Sequence, residues 1–264
     1  MTRRRLDTEL VRRGLAASRV EAEQAVRAGL VRVDGAKASK VATLVADDAP
    51  VALEAAPRRF VSRGGEKLAA GLARFELDPA GLDCLDAGAS TGGFTDCLLQ
   101  AGARHVIAVD VGYGQLAWSL RHDERVTVLE RTNVRDLRGD ALPMRPALLV
   151  ADLSFVSLRS VLPALSRTVA DEADGVFLVK PQFEAGPQHV GSGGVVRDPA
   201  TWTRVIEAVI DASRHAGLEP RSVMASPLRG PAGNVEFLLW SRRGARPTTI
   251  DVAEAIAEGS EVAR

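Results

Sequence analysis

Cysteine is almost missing from this chain: among 264 residues there are two, Cys84 and Cys97. Two thiols at this spacing make neither a metal-binding pattern nor a disulfide framework, and both lie in or near apolar runs, so buried free thiols are expected. Histidine is nearly as sparse. His105, His122, His189 and His215 show no ligand spacing, and no metal site is expected. No apolar run approaches the roughly 18 residues of a membrane span, and the start MTRRRLDTELVRR lacks the apolar core of a secretory signal. The expectation is a cytoplasmic protein without membrane contact. Net charge is absent too, with 34 basic and 34 acidic residues, but the balance is uneven: residues 1–67 hold 14 Lys/Arg against 9 Asp/Glu, leaving 20 against 25 for the remainder. A basic module joined to a mildly acidic one fits a nucleic-acid reader attached to an enzyme.

The basic module has its own punctuation. Leu6, Leu10, Val11 and Leu15 mark a short amphipathic helix broken at Gly14. Ser18 is placed as an N-cap, with Glu21 three residues on, and the second helix VEAEQAVRAG stops at Gly29. LVRV reads as a strand, Asp34-Gly35 as a tight hairpin turn, AKASKVATLV as the return and VALEAAP as the closing strand. Helix, Ser-Arg, helix, Gly, strand and Asp-Gly turn in this order resemble the S4 RNA-binding domain, over roughly residues 5–55. By that resemblance the RNA-facing residues include Arg4, Arg5, Ser18, Arg19, Arg27, Arg32, Lys37 and Lys40. The residue types suit the task, since Lys and Arg neutralise phosphates and Arg forks onto them. The expected division is an RNA-binding domain over 1–56, a linker over 57–63 punctuated by Pro57, and an enzyme domain over 64–264.

From about residue 64 apolar runs alternate with glycine-rich turns and helical stretches, the pattern of an α/β chain. The piece DCLDAGASTGGFTDCLLQAGARHVIAVDVG divides into strand, turn, helix and second strand. Gly88, Gly92 and Gly93 let a ligand approach the backbone, and Asp110, ending the second strand, can accept both ribose hydroxyls of a nucleoside. A dinucleotide enzyme calls for G-x-G-x-x-G, which GASTGG does not supply, and an acidic Asp86 ahead of the loop suits a cationic ligand. The segment resembles the S-adenosylmethionine site of class I methyltransferases. It implies donor contacts from Asp86, Gly88, Ala89, Ser90, Thr91, Gly92, Gly93, Phe94 and Asp110. The turn RTNVRDL is expected beside the adenine, with Asn133, Val134 or Asp136 as candidates among which the pattern does not choose.

Four further residues sit where such a fold gathers its site. Lys67 opens the helical stretch RGGEKLAAGLARF; Asp152 follows ALLVA, Lys180 follows VFLV and Glu236 precedes FLLW. Open α/β sheets bind at strand carboxyl ends. Taken singly, each residue reads as a surface lysine or half of an ion pair. Taken together, a Lys-Asp-Lys-Glu set beside a methyl donor can hold and deprotonate a hydroxyl. With VADLSF, VKPQFE and NVEFLLW, the chain from about residue 3 to 242 is similar to the TlyA group of ribosomal RNA 2′-O-methyltransferases, some of which are called haemolysins. Its second half resembles the wider FtsJ-like group, which uses a Lys-Asp-Lys-Glu tetrad. The resemblance implies a Rossmann-like class I methyltransferase domain behind a small α+β S4 domain. It further implies catalytic roles for Lys67, Asp152, Lys180 and Glu236, with Asp152 also facing the donor. The implied target is cytidine in ribosomal RNA of the large subunit and also the small.

Other expectations complete this reading. The Gly- and Pro-rich segment after Lys180, with Phe183, Glu184, Arg197 and Gly191–Gly194, is expected as a flexible lip over the target nucleotide, and Phe155 and Phe183 as stacking partners for an extruded base. The tail is expected as an amphipathic helix behind a capping threonine. A monomer is expected. Two other functions compete: an RNA-binding assembly factor without turnover, against which the intact tetrad speaks, and a membrane-active cytolysin, against which the missing apolar runs speak.

Overall fold

Glycine and charge punctuation become very short elements in the first of two units, Met1–Arg58 and Arg59–Arg264. The computed structural model describes residues 3–16, 18–54 and 59–264; residues 57 and 58 of the expected linker therefore lie outside the described residues. The first unit runs β1 (Arg3–Arg5), α1 (Leu6–Arg12), α2 (Arg19–Arg27), β2 (Val31–Val33), β3 (Ala36–Lys37), β4 (Leu44–Ala46) and β5 (Val51–Leu53). Ser18 caps α2 by accepting the Glu21 N–H at 3.2 Å, and Gly14 and Gly29 both adopt positive φ just past the helices. Asp34 and Gly35 have φ of 51° and 78°, the left-handed pair that a two-residue hairpin turn requires. The long return strand expected after that turn does not form. Only Ala36–Lys37 pairs with β2; Leu44–Ala46 instead pairs antiparallel with β1, and β5 takes the other edge of β2. Leu6, Leu10, Ala22, Val26, Val31 and Val45 pack the core.

Two carboxylates are buried at α1. Asp7 accepts from the Arg5 fork at 3.1 Å and from Arg19 at 2.7 Å. Glu9 accepts from Arg12 at 2.5 and 2.8 Å and from Arg13 at 2.6 Å. Arg5 holds the Asp7 carboxyl well below the ordinary carboxylate range, and Arg12 does the same for Glu9.

The second unit continues with α3 (Gly64–Arg74), β6 (Asp83–Ala87), α4 (Gly93–Gln100), β7 (His105–Val109), α5 (Trp118–Arg121), β8 (Val126–Leu129), β9 (Leu148–Ala151), α6 (Leu158–Ser166), β10 (Asp174–Val179), α7 (Pro181–Glu184), α8 (Pro199–His215), β11 (Leu218–Ala225), β12 (Phe237–Arg243) and α9 (Ala253–Ala263). Seven strands form one sheet in the order β11-β12-β10-β9-β6-β7-β8. The five from β10 to β8 are parallel, β12 runs antiparallel to them, and β11, antiparallel to β12, runs in their direction again. Strand side chains alternate between faces, so the apolar runs feed two cores. Leu85, Ile107, Leu149 and Phe177 pack on one face against α6 and α8. Cys84, Val106, Leu148 and Val176 pack on the other against α3 and α4. Both cysteines are free and buried as expected, and burial pushes each thiol up to about 12.

Residues 59–63, expected as linker, belong to this second unit. Phe60 is 3% exposed and lies against Gly65, where a Cβ would stand 2.3 Å from the ring. Asp96 accepts the Val61 N–H at 2.8 Å. The tail helix α9 forms, but Asp251 rather than a threonine accepts its first N–H, from Ala253 at 2.9 Å.

Candidate active site

The strand order reverses between β6 and β9: the chain proceeds from β6 towards β8 on one side and from β9 towards β12 on the other. Ligands of open α/β sheets bind at the carboxyl ends beside such a switch point. Here a cleft of about 590 Å³ opens there. Its floor depends on Gly88, whose φ is +88° and whose missing Cβ would fall 2.6 Å from the Asp152 carbonyl oxygen. No larger residue fits between the two strand ends. The next turn is strung on Asp110: Oδ2 accepts the Ser90 N–H at 2.8 Å and Oδ1 the Gly112 N–H at 2.7 Å. Each carboxylate oxygen keeps a further lone pair, and Asp110 lines the cleft.

The expected donor residues divide in two. Gly88, Ser90, Asp110, Asn133, Val134 and Asp152 line the cleft. Ala89 and Phe94 are packed in the α3–α4 core, and Thr91, Gly92 and Gly93 shape the turn into α4 without lining the cleft. Gly93 is needed because a Cβ there would meet Ser62 Oγ at 2.1 Å. Asp86 is fully buried: Oδ2 accepts from Thr95 Oγ1 at 2.7 Å while Oδ1 has no partner among the described residues. Burial raises its carboxyl from 3.8 to about 7, assisted by the negative Asp152 and opposed by Thr95. A folded-state value above the unfolded one means stability present below the unfolded value and lost as pH climbs to the folded one. The melting temperature of Asp86→Asn is therefore expected to fall less than that of the parent between pH 3.8 and about 7. Parallel melting curves of the two proteins across that window would contradict the assignment. Sequence reasoning missed Val111, Gln115, Thr132 and Leu153 as cleft residues. The first had a readable signal: an apolar residue directly after the strand-end acid, 74% exposed.

The Lys-Asp-Lys-Glu set forms two pairs. Lys67, on the first turn of α3, meets Glu236 at 2.5 Å, and both are buried. Glu236 reaches this rim although it precedes a strand, because β12 runs antiparallel; Val179 pairs with Phe237, which sets Lys180 and Glu236 one step beyond the paired ends. Lys180 Nζ stands 2.7 Å from Asp152 Oδ1 and donates to Ser154 Oγ at 2.8 Å. The contact with Asp152 is an ion pair without an aligned hydrogen bond, and Oδ1 is left without a hydrogen-bond donor. Asp152, Ser154 and Phe155 line the cleft, so the Lys180 pair opens to it. Phe155 has a φ of 62° and is 92% exposed, and its ring centroid lies 5.2 Å from that of Phe183. A bulky residue in the left-handed region is strained, and here the strain holds an aromatic face in solvent at the cleft mouth.

The segment after Lys180 departs from the expected lip. Phe183 and Glu184 belong to α7, and Glu184 is buried. The Gly191–Gly194 stretch is pinned by Asn234, which donates to the Gly194 carbonyl at 2.8 Å and accepts the Val196 N–H at 2.9 Å. Arg197 and the Gly191–Gly194 stretch, with Ser192, remain exposed. In the first unit, Arg4, Arg5, Arg19, Arg27 and Arg32 each pair with a carboxylate, respectively Asp47, Asp7, Asp7, Glu23 and Glu54. Lys37 and Lys40 are exposed and have no carboxylate partner among the described residues.

Comparison with known proteins decides the family. The FtsJ-like methyltransferase model matches residues 60–243. The chain belongs to the FtsJ-like methyltransferase family. The S4 domain model matches residues 4–49 ahead of it. The FtsJ-like chain is 55% identical over 241 residues to a Mycobacterium tuberculosis protein named 16S/23S rRNA (cytidine-2′-O)-methyltransferase TlyA, covering 91% of this chain and 90% of that one. It is 36% identical to Hemolysin A of Brachyspira hyodysenteriae, covering 89% and 98%. A solved Streptococcus thermophilus structure, described as a candidate hemolysin, superposes with a TM-score of 0.74 at 37% identity, covering 99% of this chain and 97% of that one. The FtsJ-like fold also matches a Listeria monocytogenes methyltransferase structure at 16% identity and a TM-score of 0.52. Among the described residues no helix is long and apolar enough to cross a membrane, and no His/Cys/Asp/Glu group is arranged to hold a metal.

Proposed function

We propose that this chain transfers a methyl group from S-adenosylmethionine to the ribose 2′-hydroxyl of cytidine in ribosomal RNA, in the large subunit and also the small. The observation that carries the reading is the Lys180–Asp152–Ser154 group opening onto the cleft that Asp110 and Gly88 build. The target class is supported by the relative whose name specifies that reaction.

The cleft residues fit the donor. Asp110 offers carboxylate lone pairs to two adjacent ribose hydroxyls. Val111, with Val134 and Asn133 from the turn after β8, gives an adenine an apolar and hydrogen-bonding surround. Asp152, a carboxylate lining the same cleft, suits an ammonium. When bound, the donor supplies a methyl group on a sulfonium, whose departure leaves a neutral thioether. The protein's work is then placement and proton management, because an in-line displacement depends on alignment. Lys180 orients the 2′-hydroxyl and, once its ammonium has released a proton to solvent, accepts the hydroxyl proton as a neutral amine; Asp152 and Ser154 fix the lysine's head group, and the Lys67–Glu236 pair ties α3 to the start of β12. Phe155 and Phe183 stack on the base turned out of its helix.

The S4 unit holds the RNA backbone. Lys37 and Lys40 are free point charges, and the arginines anchored on Asp7, Asp47, Glu23 and Glu54 present guanidinium edges left over from those pairs.

The test is transfer of labelled methyl from S-adenosylmethionine to purified small and large subunits that lack the native modification. Label recovered on ribose of cytidine is the expected result, on both subunits. Label on base atoms, or donor binding without label on either subunit, would sink the reading.

A further inference from the structure

Glu184 lies four residues past Lys180, at the end of the single turn α7. Its side chain is 2% exposed, yet it is not stranded. One oxygen accepts the Leu158 N–H at 2.6 Å. The other accepts from Ser157 Oγ at 2.6 Å and from Arg159 Nε at 3.1 Å, and the Glu184 carbonyl accepts from Arg159 Nη2 at 3.1 Å. Helix α6 begins at Leu158, and its N-cap residue Ser157 makes no capping bond of its own. The cap is delivered from another element, where a carboxylate also meets the positive end of the helix dipole.

The placement matters because of what the two segments carry. The chain leaving β9 holds Asp152, Ser154 and Phe155 before it enters α6. The chain leaving β10 holds Lys180 and Phe183 before it reaches Glu184. The near ends of these segments are joined by the parallel β9–β10 pairing. Their far ends are joined by Glu184. Lys180, Asp152 and Ser154 thus lie inside a frame closed at both ends, and Pro181 at the start of α7 stiffens the short arm between Lys180 and Glu184.

We propose that Glu184 is a positioning residue for methyl transfer: by capping α6 it sets the spacing between Lys180 and the Asp152–Ser154 loop. The inference rests on the reading that Lys180 and Asp152 carry the reaction. Displacements of about 1 Å in such a group cost on the order of 10²-fold in rate, so the effect falls on turnover rather than on either substrate's binding.

The experiment compares the full chain with Glu184→Ala, Glu184→Gln, Ser157→Ala and Lys180→Ala in methyl transfer to ribosomal subunits, alongside donor titration and thermal melts. For Glu184→Ala, kcat is expected to drop about 10- to 100-fold while KM and Kd for S-adenosylmethionine stay within about threefold. Glu184→Gln, which keeps an acceptor for the Leu158 N–H, is expected to recover part of that loss. Ser157→Ala, which removes one bond and leaves the carboxylate paired, is expected to lose a few-fold in kcat. If Glu184→Ala does not fold, the Gln and Ser157 variants decide. Wild-type kcat per folded molecule in these variants, or a rise in donor KM at unchanged kcat, would overturn the proposal. Full turnover by Lys180→Ala would instead overturn the reading beneath it.

Discussion

Lys180→Ala is expected to lower methyl transfer by about 10²- to 10⁴-fold, the range contributed by a positioned general base, while donor binding and RNA binding persist. The geometry separates these functions. Lys180 touches Asp152 and Ser154, whereas the proposed donor contacts come from Asp110 and the Gly88 turn and the proposed RNA contacts from the S4 unit. Lys180→Arg is a sharper control. A guanidinium retains the positive charge but does not give up its proton in a protein, so it is expected to be nearly as inactive. Single-turnover label transfer at saturating donor, with equilibrium titration of donor and subunit, measures both halves. An arginine variant with near-normal turnover would show that Lys180 contributes charge alone.

Glu236→Ala is expected to be the most damaging change to the enzyme unit's stability. Lys67 is 6% exposed and Glu236 1%, and removing one partner leaves a buried ammonium uncompensated, at about 3–5 kcal/mol. For a unit of this size a kilocalorie moves the melting temperature by about 2–4 °C, so a fall of roughly 6–20 °C follows. The double replacement Lys67→Met with Glu236→Leu removes both charges at similar volume and is expected to regain most of that stability without regaining transfer. Calorimetry and the transfer assay on the three proteins check this. A double variant that melts as low as the single one would place the loss in packing rather than in charge.

The parts of this molecule that could be read from the chain are those governed by short periodicities. The strands fill both faces of the sheet, so runs such as ALLVA and VFLV are apolar at every position, and a strand-end acid or lysine stands out against them. The Asp34-Gly35 turn was readable because few dipeptides tolerate two positive φ values. What escaped depends on long-range partners. AKASKVATLV contains strand-forming residues throughout, but whether Leu44–Ala46 joins β2 or β1 is decided by packing in the core around Leu6 and Val45. Glu184 looked like part of a solvent-exposed lip among glycines and prolines. Only the structure reveals the open N-terminus of α6 waiting for a carboxylate. Of the donor residues expected around GASTGG, Thr91 lies in the turn ahead of α4, and Phe94 is the second residue of α4 and packs in the core between α3 and α4. Residues 57–63 read as linker on Pro57 and its two arginines, with Phe60-Val61 free to tuck against either domain; Phe60 is a core side chain packed on Gly65 in the second unit.

The antiparallel strand β12 has a consequence for how the enzyme comes into being. It lies between β10 and β11 in the sheet, although it follows both in the chain. Until residue 243 has left the ribosome, β11 has no sheet neighbour and β10 keeps an open edge. Lys67 waits without its carboxylate over the same interval, 169 positions away in sequence. Such distant closure is slow relative to local folding. The arrival of β12 completes three things together: the sheet edge of β10, the partner of β11 and the buried Lys67–Glu236 pair.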